Sequence, residues 1–180
     1  MQDKTVAWRF AGIWLRNWKN FATCDVPLAA RVFLVGPNAS GKSNFLDVFR
    51  FLRDLVALGG GLREAISHRG GVSALRCLAV RRYQDVAIRA DVKGEKVWQY
   101  ELAFNQDNQR RVQIKKEKVT CEATVFLDRP NLEDEQDPAR LSQTYLEQVN
   151  VNKEFRVLGG CPKNSFPRLP AALAVGHWSA

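Results

Sequence analysis

Apolar and polar positions divide the chain into an extended front, a helical centre and an extended middle. Val6 to Arg16 (VAWRFAGIWLR) is rich in aromatic and β-branched residues and predicts a strand. Asn17-Trp18-Lys19-Asn20 is a polar, turn-like break. Phe21 to Leu28 is a second short extended piece, closed by Pro27. Arg31 to Val35 (RVFLV) is an apolar run bounded by Gly36, the pattern of a strand buried on both faces. From Ser43 to Leu58 the spacing becomes helical. Phe45, Leu46, Phe49, Leu52 and Val56 share one broad face, and Val48, Phe51 and Leu55 widen it. Gly59-Gly60-Gly61 ends that helix. Leu62 to Ser67 predicts a short helix stopped by Arg69-Gly70-Gly71.

The middle returns to the period of a strand. Gln84 to Val92, Val97 to Asn105, Arg110 to Val119 and Cys121 to Leu127 predict an antiparallel meander, with Lys93–Lys96 and Gln106–Gln109 as hairpin connections. Pro130 to Arg140 (PNLEDEQDPAR) is an acidic loop, and Leu141 to Arg156 predicts a helix. From Val157 to Ala180 there is no acidic residue, and three of the seven prolines fall there. The organisation is therefore one lobe over residues 1–156 and an irregular tail over 157–180.

Composition changes this picture in three places. No apolar run approaches the ~20 residues that span a bilayer, and Met1-Gln2-Asp3-Lys4 does not open a signal peptide, so the expectation is a cytoplasmic protein with no membrane partner. Cys24, Cys77, Cys121 and Cys161 are not clustered with one another or with His68 and His177, which argues against a zinc cage. The formal net charge of +8 admits a polyanion such as DNA as a partner, and equally a solvated basic face.

The chemistry lies between the RVFLV run and the long helix. Gly36-Pro37-Asn38-Ala39-Ser40-Gly41-Lys42-Ser43 satisfies G-x-x-x-x-G-K-[ST]. Glycines let backbone N–H groups fold around phosphate oxygens, and the following helix N-terminus adds partial positive charge. Lys42 is placed to reach the β- and γ-phosphates of ATP, and the Ser43 hydroxyl to ligate Mg²⁺, with Asn44 next in line.

The extended string G-P-N-A-S-G-K-S-N-F-L-D resembles the ATP-binding cassette group. More narrowly, it is similar to the AAA-type predicted ATPases of the SMC/RecF/OLD kind, often labelled AAA_21. Leu15-Arg16-Asn17-Trp18-Lys19-Asn20-Phe21 upstream, and Asn44-Phe45-Leu46-Asp47 and Arg69-Gly70-Gly71 downstream, fit the same group. The resemblance implies an α/β P-loop NTPase: the first lobe of an ABC/SMC-type head, with an antiparallel β meander beside the P-loop strand and helix. It also implies ATP and Mg²⁺ as cofactors and a second ATPase head as partner, as in a homodimer. DNA repair or phage defence is the implied setting. A complete head carries a strand ending in Asp-Glu, a signature for the opposing head and a switch histidine. Thr124-Val125-Phe126-Leu127-Asp128 is the nearest string to the first, but Arg129 follows it, and His177 falls in the tail. The expectation is a truncated or frame-shifted ATPase that binds ATP without cleaving it alone. A small P-loop kinase and a non-catalytic module are the alternatives; a GTPase would need an N-K-x-D-like motif.

Lesser candidates have plain readings beside them. Arg110, Arg111, Lys115, Lys116 and Lys118 form either a phosphate-binding edge or a solvated strand face. Trp8, Trp14, Trp18, Trp98 and Trp178 could stack bases, but packing is the expectation for the first four. Arg63, Arg69, Arg76, Arg81 and Arg82 are a loose basic group, and Gln84, Gln99 and Gln113 are candidates for a glutamine near Mg²⁺.

Overall fold

The computed structural model describes residues 8–57, 59–80 and 85–147. It is a mixed α/β structure built on one antiparallel sheet. The strands are β1 (Arg9–Trp18), β2 (Phe21–Pro27), β3 (Val86–Lys93), β4 (Val97–Gln106), β5 (Val112–Cys121) and β6 (Thr124–Arg129). They lie in the order β2-β1-β3-β4-β5-β6, so β3 to β6 form the predicted meander and β1 joins it across the inserted helices. The helices are α1 (Lys42–Val56), α2 (Leu62–Ser67), α3 (Val72–Leu75) and α4 (Leu132–Gln136).

Strand period decides which side chains meet α1. One row across the sheet is Ile13, Ala90, Tyr100 and Val119, and the next is Leu15, Ile88, Leu102, Glu117 and Arg129. Nearly all of these are buried, and the apolar ones pack on the helices. Helix α1 buries Phe45, Val48, Phe49, Phe51, Leu52, Leu55 and Val56, a wider face than one stripe. Each such side chain contributes about 1.5–3 kcal/mol. Phe51 stacks on Phe104 at 5.6 Å and meets Trp18 edge-on at 5.3 Å, which ties the helix to β4 and to the end of β1.

The other face of the sheet is polar and charge-balanced. Lys116 pairs with Glu101 at 3.0 Å, Lys118 with Asp128 at 3.3 Å and Arg89 with Asp25 at 3.6 Å. Within the basic run of β5, β6 pairs from Glu117 onward, and Lys116 and Lys118 answer neighbouring carboxylates. Trp18 and Trp98 are buried, Trp8 and Trp14 half-buried, in line with packing; Trp178 lies outside the described residues.

Three expectations need correction. Arg31–Val35 is not a strand: it runs without sheet pairing, with Phe33 85% and Val35 92% exposed. A strand buried on both faces needs neighbours on both edges, and no described strand lies beside it. Residues 31–34 instead wall an open groove of about 380 Å³ shared with Phe10, Leu28, Phe45, Leu46 and Phe49. A Phe33→Ser change should therefore leave stability within about 0.5 kcal/mol; a clear fall in melting temperature would show that the ring is packed. Second, Pro130–Arg140 is not a plain loop. Asn131 caps α4 by accepting from the Glu133 and Asp134 N–H groups, and a 3₁₀ turn follows over Pro138–Ser142. Third, a helix does not start at Leu141; Leu141 and Ser142 belong to that 3₁₀ turn, helical residues begin at Tyr145, and 148–156 lie outside the described residues, as does the tail 157–180.

Candidate nucleotide site

The segment Gly36–Ser43 leaves the exposed RVFLV run and enters α1 directly. Two left-handed residues shape it, Ala39 at φ 63° and Gly41 at φ 98°. Gly41 is where the chain turns into the helix, and a β-carbon there would be strained on conformation alone. The Ser40 N–H reaches back to the Pro37 carbonyl at 3.3 Å, closing a tight turn. Helix α1 starts at Lys42 with no side-chain cap and no acidic residue in its first turn. Among the described residues no carboxylate answers its leading N–H groups. Residues 36–40 and Ser43 are exposed, and Lys42 is half-buried.

The Lys42 ammonium folds into this loop. It donates to the Gly36 carbonyl at 2.7 Å and the Pro37 carbonyl at 2.6 Å, with Ser40 Oγ at 3.4 Å. Among the described residues the site holds its cation on neutral oxygens, without a carboxylate partner. Such a cation is available to an anion that enters the loop.

A second element braces the helix start. The tight β1–β2 turn, with Asn17 at φ 57° and Lys19 at φ 49°, lies against the first turns of α1. The Trp18 indole N–H donates to the Asn44 carbonyl at 2.9 Å. Asn44 Nδ2 donates to Asn20 Oδ1 at 2.9 Å. Lys19 pairs with Asp47 at 2.6 Å. A β-carbon at Gly41 would collide with the Asn20 side-chain amide, so the glycine is required by approach as well as by φ. Asn17, fully buried, anchors the turn below by accepting from the Cys77 N–H at 2.9 Å.

Of the loose basic group, Arg69 has a definite place. It forks onto both Asp47 oxygens at 3.0 and 3.1 Å, reaches Asp54 at 2.9 Å and lies over the Phe51 ring. Burial alone would push the Asp47 carboxyl up, but hydrogen bonds from Arg69 and Lys19 outweigh it and hold the group below its usual range. Arg69 thus clamps α1 to α2 and is committed to carboxylates. Arg63 is exposed and Arg76 half-buried; Arg81, Arg82, Gln84 and His177 lie outside the described residues. Gln99 bonds Asp91 and Gln113 bonds Lys115, both on the sheet.

Asp128 does not join the loop. It sits on β6, the outermost strand at the end of the sheet away from β2, and pairs with Lys118. Four strand spacings separate β1 from β6, roughly 19 Å.

The sequence profile of the family described as "AAA domain, putative AbiEii toxin, Type IV TA system" matches residues 31–148. The chain belongs to this AAA-domain family. No curated protein matches it. Among solved structures, "Structure of the recombination mediator protein RecF-ATP in RecFOR pathway" is similar at a TM-score of 0.43 and 16% identity. That match covers 67% of this chain and 29% of the RecF chain, so this AAA-domain chain spans less than a third of its neighbour's length. No helix among the described residues is long and apolar enough to cross a membrane.

In this AAA-domain protein the brace formed by Trp18, Lys19 and Asn20 is the part that residue-by-residue reading missed. Its only signal was the family-like string Leu15–Phe21. Nothing in that string says that the turn reaches Asn44 and Asp47.

Proposed function

We propose that Gly36, Pro37, Asn38, Ala39, Ser40, Gly41, Lys42, Ser43 and Asn44 bind ATP with Mg²⁺, as the nucleotide-holding part of an ATPase. The observation that carries this reading is Lys42. Its ammonium rests on two loop carbonyls at the start of a helix whose first turn holds no acid. A triphosphate entering the loop offers it charged oxygens in place of neutral ones, and charge-assisted hydrogen bonds are about twice as strong. The leading N–H groups of α1 face the same anion. Ser43 presents an exposed hydroxyl as the candidate Mg²⁺ ligand; bound Mg²⁺ supplies neutralisation of phosphate charge.

Membership of the AAA-domain family supports ATP as the nucleotide, and the family's description supports a place in a type IV toxin–antitoxin system. Hydrolysis needs a carboxylate that orients water. Asp128 stands on the far strand and Asp47 is held by Lys19 and Arg69. We therefore assign the binding role to this loop, and the water-orienting carboxylate to the strand ending in Asp-Glu that the second lobe of a complete head carries. The net charge of +8 supports DNA as a further partner.

Titration of the 180-residue chain with ATP, with and without Mg²⁺, alongside a phosphate-release assay, tests this. Saturable binding without appreciable release is the expected result. A folded chain that does not bind ATP refutes the proposal, and release at ordinary enzyme rates by these 180 residues refutes the assignment of the carboxylate to a second lobe. Ser43→Ala should bring the affinities with and without Mg²⁺ close together; an undiminished Mg²⁺ dependence would remove Ser43 from the site.

A further inference from the structure

We propose that Asn20, at the tip of the β1–β2 turn, is a phosphate-binding residue of the nucleotide site. This rests on the nucleotide-binding reading above and extends the site to a second element of the fold.

The side-chain amide of Asn20 has two different ends. Its oxygen accepts from Asn44 Nδ2 at 2.9 Å, which leaves Nδ2 as the end turned toward Gly41. The end left to donate is Nδ2, and Nδ2 is the atom that a β-carbon on Gly41 would strike first. Gly41 is the left-handed residue between the loop and Lys42. A neutral N–H donor is thereby set at the junction where the loop N–H groups and the helix N-terminus meet.

The turn does not need that amide to close. Its backbone is held by the Lys19 N–H on the Leu75 carbonyl at 2.6 Å, by the Trp18 indole on Asn44 and by the Lys19–Asp47 pair. Asn20 itself is exposed, so burial in the core does not explain its position either. The charges around it suit an anion: Lys42 rests on neutral carbonyls, α1 has no acid in its first turn, and Asp47 is answered by Lys19 and Arg69.

The test compares Asn20→Ala and Asn20→Asp in the full chain, by MgATP titration and thermal melting. Asn20→Ala removes the donor and should weaken MgATP binding about tenfold. Asn20→Asp still accepts from Asn44 but turns an anion toward the phosphates. It should bind more weakly than Asn20→Ala, and the gap should narrow as salt is raised. Both variants should melt close to the wild type. Wild-type affinity in Asn20→Ala, or equal affinities of the two variants at low salt, overturns the proposal. A wild-type chain that binds no MgATP overturns the nucleotide reading beneath it, a result the variants alone cannot produce.

Discussion

Lys42→Ala lowers the affinity for MgATP by one to two orders of magnitude while leaving the melting temperature nearly unchanged. A hydrogen bond to a charged group contributes roughly 1.5–3 kcal/mol, which is about ten- to more than a hundredfold in affinity. Lys42 is placed to donate more than one such bond, because in the free loop it already satisfies two carbonyls, at 2.7 and 2.6 Å. Its removal frees those carbonyls on an exposed loop, where water replaces the ammonium at little cost. Isothermal titration and a thermal melt on one sample separate the two effects. Unchanged affinity would show that the anion does not meet this ammonium. A large drop in melting temperature would show that the lysine holds the loop together.

How far the sequence discloses such a site depends on whether the information is local. The helical spacing of Phe45, Val48, Phe49, Leu52, Leu55 and Val56 announces α1, and the structure buries those residues. The period-2 runs announce the strands within a few residues. The RVFLV run misleads because burial on two faces is a property of neighbouring strands, and its own composition says nothing about whether they are present. Asp128 shows the limit of a local motif for a related reason. The string before it matches a motif locally, but hydrogen-bond register places it opposite Lys118, on the sheet's outermost strand. The Asn20–Asn44 bond spans 24 positions and the Arg69–Asp47 fork 22, so no window of local pattern contains either pair. Glu117 is hidden most completely. In Lys115-Lys116-Glu117-Lys118 it looks like one more surface charge, yet strand alternation turns it inward, into the row with Leu15, Ile88 and Leu102.

That inward carboxylate sets up a large stability effect, the loss of Arg129. Arg129 is 2% exposed and ends the same row. Its guanidinium reaches Glu117 at 3.1 Å and Asp134 at 2.7 Å, and it donates to the Arg140 and Gln143 carbonyls as well. Glu117 also accepts from the Tyr100 hydroxyl and the Tyr145 N–H. The network therefore ties β4, β5 and β6 to α4 and to the chain beyond it. Hydrogen bonding to Arg129 holds the Asp134 carboxyl below its usual range against the opposing pull of burial. For Glu117 burial dominates, and its carboxyl stays raised despite the Tyr145 and Arg129 donors. Arg129→Leu removes the one cation that answers Glu117 from within the buried cluster and leaves two buried acids, Glu117 and Asp134. Breaking a buried pair from one side costs about 3–5 kcal/mol, which lowers the melting temperature by on the order of 10 °C in a chain of this size. The pH dependence carries a sign. With Arg129 in place, the depressed Asp134 contributes stability above the unfolded carboxylate range and loses it as pH falls through its folded value. Without Arg129 the already raised Glu117 loses its cation and rises further in the folded state, while Asp134 keeps only the Asn131 N–H and Arg140 to lower it. The folded state then holds more protons than the unfolded one, and stability falls as pH rises from the unfolded value. Arg129→Leu should accordingly be less unstable relative to wild type at about pH 5 than at about pH 7. Melting curves at the two values read this directly, and a deficit that does not shrink on acidification would mean that the acids do not stay buried. Nucleotide affinity of the folded variant should be unaltered, because β6 stands at the end of the sheet away from the β1–β2 turn that braces the loop.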